Sequence, residues 1–185
     1  MARLPYVDPE RAPEPVRRAL ERVPPLNIFR MTANASTAFR PWLAFGGALL
    51  SSLELDARLR ELVILHVGRL SGAEYEWVQH VPIALAVGAG EEDVAAVERG
   101  ELDAECLGPA VGAALRFTSE VVRDVRASDE AFEAVREHLS PREVIELLLV
   151  IGQYMTVARI ALNADIEIDE GGPAVAESAA RGRRE

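Results

Sequence analysis

Cysteine and lysine are the residue types that this sequence almost or entirely lacks. Its 185 residues include a single cysteine, Cys106, so an intramolecular disulfide, a CxxC redox motif and a four-cysteine zinc site are all excluded. All 20 basic residues are arginine. Without a lysine amine the chain cannot form a Schiff base or attach pyridoxal phosphate, and it cannot supply the lysine of a P-loop.

Positive charge and uninterrupted apolar runs are also scarce. The formal net charge of −10 argues against a nucleic-acid partner, because contacts to phosphate need clustered cations. Prolines and acidic residues interrupt the first thirty positions, so no signal peptide is expected. Gln153 and Arg159 interrupt the most apolar segment before it reaches the ~18 residues of a membrane span. We therefore expect a cytoplasmic protein without a membrane partner.

Helical periodicity is what the sequence does contain. Apolar residues at spacings of three and four mark residues 56–70 as a helix, and the word Ser140-Pro141-Arg142-Glu143 is a capping box with proline at the first helical position. The helix that it opens is apolar all round over 147–152 and should be central and buried. Only residues 166–168 resemble a strand. The pattern predicts a single all-α domain over 1–185, with an N-terminal arm and short helix at 1–25 and a flexible tail at 170–185. We place helices at about 14–23, 38–51, 56–70, 74–87, 91–99, 107–125, 128–138 and 141–164.

The stretch from Arg60 to Gly90 is the most informative for function. Two helices joined by the short Ser71-Gly72 turn must pack antiparallel as a hairpin. On the second helix Glu76 and His80 are four residues apart and share a face. Glu61 on the first helix stands in an apolar run, and a desolvated carboxyl has a raised pKa that suits proton transfer.

Simpler interpretations of these residues compete with catalysis. A Glu–His pair four residues apart is common on solvated helix faces. His66 fits a hydrogen-bonded core histidine, and His138 fits a side chain that complements the dipole of a helix C-terminus. One histidine with two carboxylates offers few of the nitrogen ligands that zinc or iron usually binds, so we predict no metal. Proline 82, inside the second helix, should kink it or force a short 3₁₀ turn.

At this hairpin the sequence resembles the carboxymuconolactone decarboxylase and alkylhydroperoxidase-D-like (AhpD-like) superfamily, over about residues 41–164. The peroxidase branch carries the pattern E-x11-C-x2-C-x3-H, whose glutamate and histidine fall on Glu61 and His80. Its two cysteine positions fall on Ala73 and Glu76, so that branch's thiol mechanism is not available here. The decarboxylase branch also lacks the cysteines, and its RELV…E-x3-H pattern matches in register, as in an uncharacterised cysteine-free subgroup.

The resemblance implies an all-α, AhpD-like helical bundle with a central antiparallel helix hairpin, assembled as homotrimers or homohexamers. It implies a cofactor-independent lyase or isomerase of the carboxymuconolactone-decarboxylase type, acting on a small carboxylated or lactone substrate. The catalytic residues would be Glu61, Glu76 and His80. Substrate-binding residues would be Tyr75 and Trp77, as walls of the pocket, with Tyr154 and Arg159. The last two match a Y-x4-R stretch of many relatives that lines the pocket or an interface, and Arg159 is the candidate to hold a substrate carboxylate. The alternative is a non-enzymatic, oligomeric small-molecule-binding protein that has lost the peroxidase cysteines.

Overall fold

The structure is a computed structural model that describes residues 1–169, and over this range the chain forms nine α-helices and no strand. The predicted all-α fold is confirmed. The predicted tail at 170–185 lies outside the described residues, and residues 166–168 do not form a strand. The helices are α1 (Glu14–Leu20), α2 (Asn27–Thr32), α3 (Phe39–Ser51), α4 (Ala57–Ser71), α5 (Glu74–Ala86), α6 (Glu91–Arg99), α7 (Gly108–Asp124), α8 (Asp129–Arg136) and α9 (Pro141–Asn163).

The α4–α5 hairpin is defined by signals at each end of α4. The Asp56 side chain caps the helix by accepting a hydrogen bond from the Leu59 amide at 2.9 Å. Gly72 ends it with φ of 67°, a left-handed conformation that costs glycine little. The Ala73 amide then donates to the Gly68 carbonyl at 2.8 Å, which closes the turn. As a result α5 returns antiparallel along α4.

Helix α5 continues through its internal proline. Residues 74–86 are α-helical without a 3₁₀ segment, although Pro82 has no amide hydrogen to donate to the preceding turn. Of the two alternatives predicted for Pro82, a kink or a 3₁₀ turn, the 3₁₀ turn is therefore absent. His80 lies two residues before this proline, at the level where the helix lacks one backbone hydrogen bond.

Helix α9 is the central helix of the bundle and begins where the capping box predicts. The Glu143 amide donates to Ser140 Oγ at 3.3 Å, and the Ser140 amide donates to Glu143 Oε2 at 2.8 Å. By length and composition α9 could cross a membrane, but half of that segment is buried inside the protein, and the helix packs against α2, α3, α4, α5, α7 and α8. The helix is central, as predicted, but it is not buried on every side, because Ile145 is 57% and Leu149 43% exposed.

The main hydrophobic core lies between α4, α7 and α9. Helix α4 is buried at every position from Leu59 to Gly68, so each polar side chain in that stretch is also buried. The burial of this stretch determines the site, because Glu61 is one of its residues.

The N-terminal arm lies on its own chain. The Arg3 amide donates to the Ala164 carbonyl at 2.8 Å, and the Val7 amide donates to the Arg30 carbonyl at 3.1 Å. Behind the arm, α1 buries Val16 and Leu20 in a small cluster with Phe39 of α3. The arm therefore joins the end of α9 to α2.

Candidate active site

Glu61 is the most deeply buried ionisable side chain of the hairpin. Its exposed fraction is 0%, and both carboxylate oxygens accept hydrogen bonds. Oε1 accepts from Arg60 Nε at 3.0 Å and from Arg60 Nη2 at 2.9 Å. Oε2 lies 2.8 Å from His80 Nδ1. The structure thus brings Glu61 and His80 into direct contact, as the hairpin and the helical spacing predict.

These partners keep Glu61 ionised. Burial raises the pKa of a carboxyl, but the hydrogen bond and charge of His80, followed by those of Arg60, outweigh it and hold the pKa of Glu61 below its ordinary value. An ionised carboxylate only accepts hydrogen bonds, so when His80 is in its neutral form the proton must be on Nδ1. The Nε2 atom then holds a lone pair, and it has no hydrogen-bond partner within residues 1–169.

Glu76 differs from Glu61 because its buried carboxyl has no partner within residues 1–169 and its pKa is raised, not lowered. Only 1% of it is exposed, and neither carboxyl oxygen has a hydrogen-bond partner in the described chain. Burial without a partner raises its pKa well above the ordinary value, so the fold favours the neutral carboxylic acid form of Glu76 over the carboxylate. Its side chain lies against Gly68 of α4, where an added Cβ would stand 3.5 Å from the Glu76 Cβ.

Tyr154 of α9 joins the two carboxyl groups into one cluster. Its ring packs edge-on against the His80 ring, with a centroid distance of 4.8 Å and an interplanar angle of 88°. Burial, followed by the proximity of Glu61 and Glu76, raises the pKa of its hydroxyl well above the ordinary value. Both carboxyl groups are therefore near the same phenol.

Arg60 belongs to this cluster and was not predicted as a site residue. It is 6% exposed, and its guanidinium wraps back onto the neighbouring Glu61. Adjacent residues on a helix point in different directions, so the pair is possible only because the arginine side chain is long. The only sequence signal was the charged Arg-Glu pair at the head of an apolar run.

Three predicted substrate-binding residues do not reach the cluster. The Tyr75 hydroxyl accepts a hydrogen bond from the Ile28 amide at 3.2 Å and donates to Asp169, so it fastens α5 to α2. Trp77 lines an open groove on the outside of the hairpin, with Gly68 and Gly72. Arg159 is exposed, and its Nη1 donates to the Met155 carbonyl of its own helix at 2.8 Å. The arginine that contacts Glu61 is Arg60 and not the predicted Arg159.

The other two histidines and the cysteine lie outside the cluster. His66 is 1% exposed, and its Nε2 lies 2.7 Å from Ser119 Oγ; burial, with smaller contributions from Arg69 and Arg123, lowers its pKa to about 4. Cys106 and His138 are exposed. Residues 1–169 contain no group of three or more His, Cys, Asp and Glu side chains placed to hold a metal ion.

One protein-family model matches the part of the chain that contains the hairpin. The model of the carboxymuconolactone decarboxylase family matches residues 37–120, a range that contains Glu61, Glu76 and His80. No curated protein matches the chain significantly.

Solved structures share the fold over most of the chain. An alkylhydroperoxidase AhpD core protein from Ralstonia eutropha, described as uncharacterized and peroxidase-related, has a TM-score of 0.81 at 20% identity, covering 91% of this chain and 93% of that one. A protein of unknown function from Agrobacterium tumefaciens has a TM-score of 0.68 at 25% identity, covering 74% and 94%. A debrominase in complex with 2,3,4-tribromopyrrole has a TM-score of 0.73 at 17% identity, covering 98% and 99%. The family match over residues 37–120 and the shared AhpD-like fold agree, and both support the resemblance of this chain to the carboxymuconolactone decarboxylase and AhpD-like superfamily.

Proposed function

We propose that this protein is a cofactor-independent lyase or isomerase that acts on a small carboxylated or lactone substrate through acid–base chemistry. The observation that carries the proposal is the contact of 2.8 Å between His80 Nδ1 and the fully buried carboxylate of Glu61. A histidine held this way is oriented, has a defined tautomer and can act as a base through Nε2.

The pair would remove a proton from carbon, or assist loss of carbon dioxide, as follows. His80 accepts the proton on Nε2, and the resulting imidazolium is stabilised by the ionised Glu61 beside it. Arg60 holds Glu61 in position from the other side, because two of its nitrogens donate to one carboxylate oxygen. The electron pair left on the substrate moves into a conjugated carbonyl.

Glu76 would supply the acid. A base and an acid can work together at one pH only if their environments separate their pKa values. The two pKa values are shifted in opposite directions here, since the partners of Glu61 lower its pKa and burial raises that of Glu76. A neutral carboxyl can donate a hydrogen bond or a proton to the oxygen on which negative charge develops.

Thiol-dependent peroxide reduction does not fit this chain. The mechanism needs two cysteines in the hairpin, and the whole sequence has one, Cys106, which is outside it. Ala73 and Glu76 stand at the two cysteine positions of the motif. The likeness to a peroxidase-related protein therefore supports the fold and not the redox chemistry.

A non-enzymatic small-molecule-binding protein is the second candidate. The debrominase crystallised with 2,3,4-tribromopyrrole is a protein of this fold that holds a small ring compound, which favours ligand binding as a use of the bundle. For either function we propose a homo-oligomer, trimeric or hexameric. The apolar residues that α9 leaves exposed, Ile145 and Leu149, support that assembly.

Two variants of the dyad test the proposal. Small lactones and carboxylated lactones are incubated with the protein in D₂O, and deuterium incorporation and product formation are followed by proton NMR. His80→Asn keeps a donor near Glu61 but has no base, and Glu61→Gln removes the charge. Each should reduce turnover by about 10²–10⁴-fold, while His138→Asn, at an exposed position, should leave it unchanged.

Two results would decide against acid–base catalysis. One is turnover that survives in His80→Asn at the wild-type rate. The other is a compound that raises the melting temperature by binding the folded state but is recovered chemically unchanged and free of deuterium. The second result would support the binding-protein alternative.

A further inference from the structure

We infer that the substrate of this site is a neutral carbonyl compound with an acidic C–H beside the carbonyl, such as an unsaturated lactone, rather than a carboxylate. The inference rests on the proposed acid–base function and narrows its substrate class. Two observations carry it: the pairing of Arg60 with Glu61, and the unpartnered carboxyl of Glu76.

The first observation concerns the positive charge at the site. Arg60 is the guanidinium that the structure places in the cluster, and its Nε and Nη2 atoms both donate to Glu61 Oε1. Its charge is thus already matched by a buried carboxylate. Arg159, which was expected to hold a substrate carboxylate, is exposed and bound to the Met155 carbonyl. A substrate carboxylate would therefore bring a second negative charge beside Glu61 without an unpaired cation in the described cluster, and such burial is strongly unfavourable.

The second observation concerns the donor that the site offers. Roughly 90% or more of buried polar groups in proteins have a hydrogen-bond partner, yet both oxygens of Glu76 are buried without one in the described chain. Glu76 shares a helix face with His80 one turn away, so its carboxyl belongs to the same side of α5 as the base. A carboxylic acid without a partner can donate to a carbonyl oxygen, and a neutral carbonyl adds no charge to the cluster.

The reaction that follows is a proton transfer between two carbons. The C–H bond next to the carbonyl breaks, its proton goes to His80 Nε2, and its electron pair moves into the carbonyl to give an enolate. The acidic proton of Glu76 stabilises the enolate oxygen by hydrogen bonding. The proton on His80 then returns to the far carbon of the conjugated system, which gives the isomer and neutral His80. No electrons are gained or lost, and no co-reactant is needed.

Helix α5 also indicates the direction from which a substrate arrives. The His80 side chain keeps 11% of its surface exposed, whereas Glu61 keeps none and Glu76 1%. The imidazole is therefore the outer member of the cluster and the carboxylic acid the inner one. A small compound would therefore place its acidic C–H against His80 and its carbonyl oxygen further in, against Glu76.

The test compares two lactones that differ in charge. One is α-angelica lactone, a neutral unsaturated γ-lactone, and the other is a γ-lactone of similar size with a carboxylate on the ring. Deuterium incorporation and isomerisation in D₂O are followed by proton NMR after subtraction of the uncatalysed rate. We expect kcat/KM for the neutral lactone to be at least about 100-fold higher, because an uncompensated buried charge is costly.

A variant pair tests the part played by Glu76. Glu76→Gln should lower the exchange of α-angelica lactone by about 10²–10⁴-fold, the usual contribution of a general acid. Glu146→Gln is the matched control, since Glu146 is another buried carboxyl, 7% exposed, whose oxygens accept from the Leu55 amide and from Arg142. Both are assayed well below their melting temperatures, and the control should retain the wild-type rate.

The outcomes separate the inference from the proposed function. If the carboxylated lactone is exchanged as fast as the neutral one or faster, and His80→Asn abolishes that exchange, the inference is wrong and the acid–base function stands. If Glu76→Gln exchanges α-angelica lactone at the wild-type rate, the role of Glu76 as the donor is wrong. If neither lactone exchanges, both the inference and the proposed function are contradicted.

Discussion

Replacing Glu76 with methionine should stabilise the protein while it removes the acid. Methionine has nearly the volume of glutamate and no polar group to satisfy, and swaps that conserve volume usually cost less than about 1.5 kcal/mol. In the wild type, the carboxyl of Glu76 is 1% exposed with neither oxygen bonded. An unpaired buried polar group costs about 1–3 kcal/mol.

The expected gain in the free energy of unfolding is about 1–2 kcal/mol near pH 5, after allowance for imperfect packing of methionine. For a domain of this size each 1 kcal/mol shifts the melting temperature by about 2–4 °C. The Tm of Glu76→Met should therefore rise by about 2–8 °C. Most core substitutions destabilise, so the direction alone is informative.

The gain should also depend on pH in a defined direction. The pKa of Glu76 is raised in the folded protein, whereas in the unfolded chain it is about 4.3. As the pH rises above that value, the unfolded state releases a proton that the folded state retains, so the wild type loses stability by up to about 1.4 kcal/mol per pH unit. This loss continues until the pH reaches the folded-state pKa. The advantage of Glu76→Met should therefore widen between pH 5 and pH 7.

Differential scanning calorimetry or urea denaturation at pH 5, 6 and 7 measures this gain, with Glu146→Met as the control. Glu146 accepts from the buried Leu55 amide at 2.8 Å, so its loss should destabilise by about 1–3 kcal/mol. The reasoning would be refuted if Glu76→Met were destabilised like the control. A gain that did not change with pH would show that Glu76 is not held neutral by the fold.

Three further predictions follow from the same geometry. Cys106→Ser should leave folding and any activity unchanged, because Cys106 is exposed and outside the hairpin; a hydroperoxide assay with turnover that disappears in this variant would contradict it. Light scattering should give three or six times the chain mass of 20.1 kDa, and a monomer mass at micromolar concentration would disprove the proposed assembly. Arg60→Met leaves the buried charge of Glu61 with one partner fewer, and it should lower the free energy of unfolding by about 3–5 kcal/mol; a calorimetric loss below 1 kcal/mol would show that the pair is not truly buried.

The helices and the central contact of the site could be predicted because they depend on local rules. Hydrophobic spacing, the Ser140 capping box and Gly72 are local signals, and they mark helix ends within about two residues here, as at α9 and α4. The contact between Glu61 and His80 follows from a short turn and a spacing of four. Both are properties of a few neighbouring residues.

The distance of three predicted substrate-binding residues from the cluster has a reason that is also local. Successive residues on an α-helix point about 100° apart, so the spacing that puts Glu76 and His80 on one face turns Tyr75 and Trp77 away from it. Arg159 follows Tyr154 by five positions, which places it about 140° around α9. Helical geometry applied to every candidate, and not only to the catalytic pair, would have excluded all three from the cluster.

Other features could not be predicted from sequence alone. Arg60 reaches Glu61 because both are buried in α4, and burial is decided by helices far along the chain. The Tyr75 hydroxyl is bound to Asp169, 94 positions away. The missing partner of Glu76 is a property of the folded surroundings as a whole, since a Glu–His spacing of four gives no information on whether the glutamate is solvated.

The tautomers of the histidine rings test the central claim most directly. A long-range ¹H–¹⁵N correlation spectrum of the ¹⁵N-labelled protein, at a pH where the rings are neutral, distinguishes a proton on Nδ1 from one on Nε2. Our account predicts the Nδ1–H form for His80, because that atom faces the ionised Glu61 at 2.8 Å. His66 is the internal reference and should show the Nε2–H form, since Ser119 Oγ donates to the Leu115 carbonyl and accepts from this ring. An Nε2–H tautomer for His80 would leave the site without a base and would contradict the proposed function.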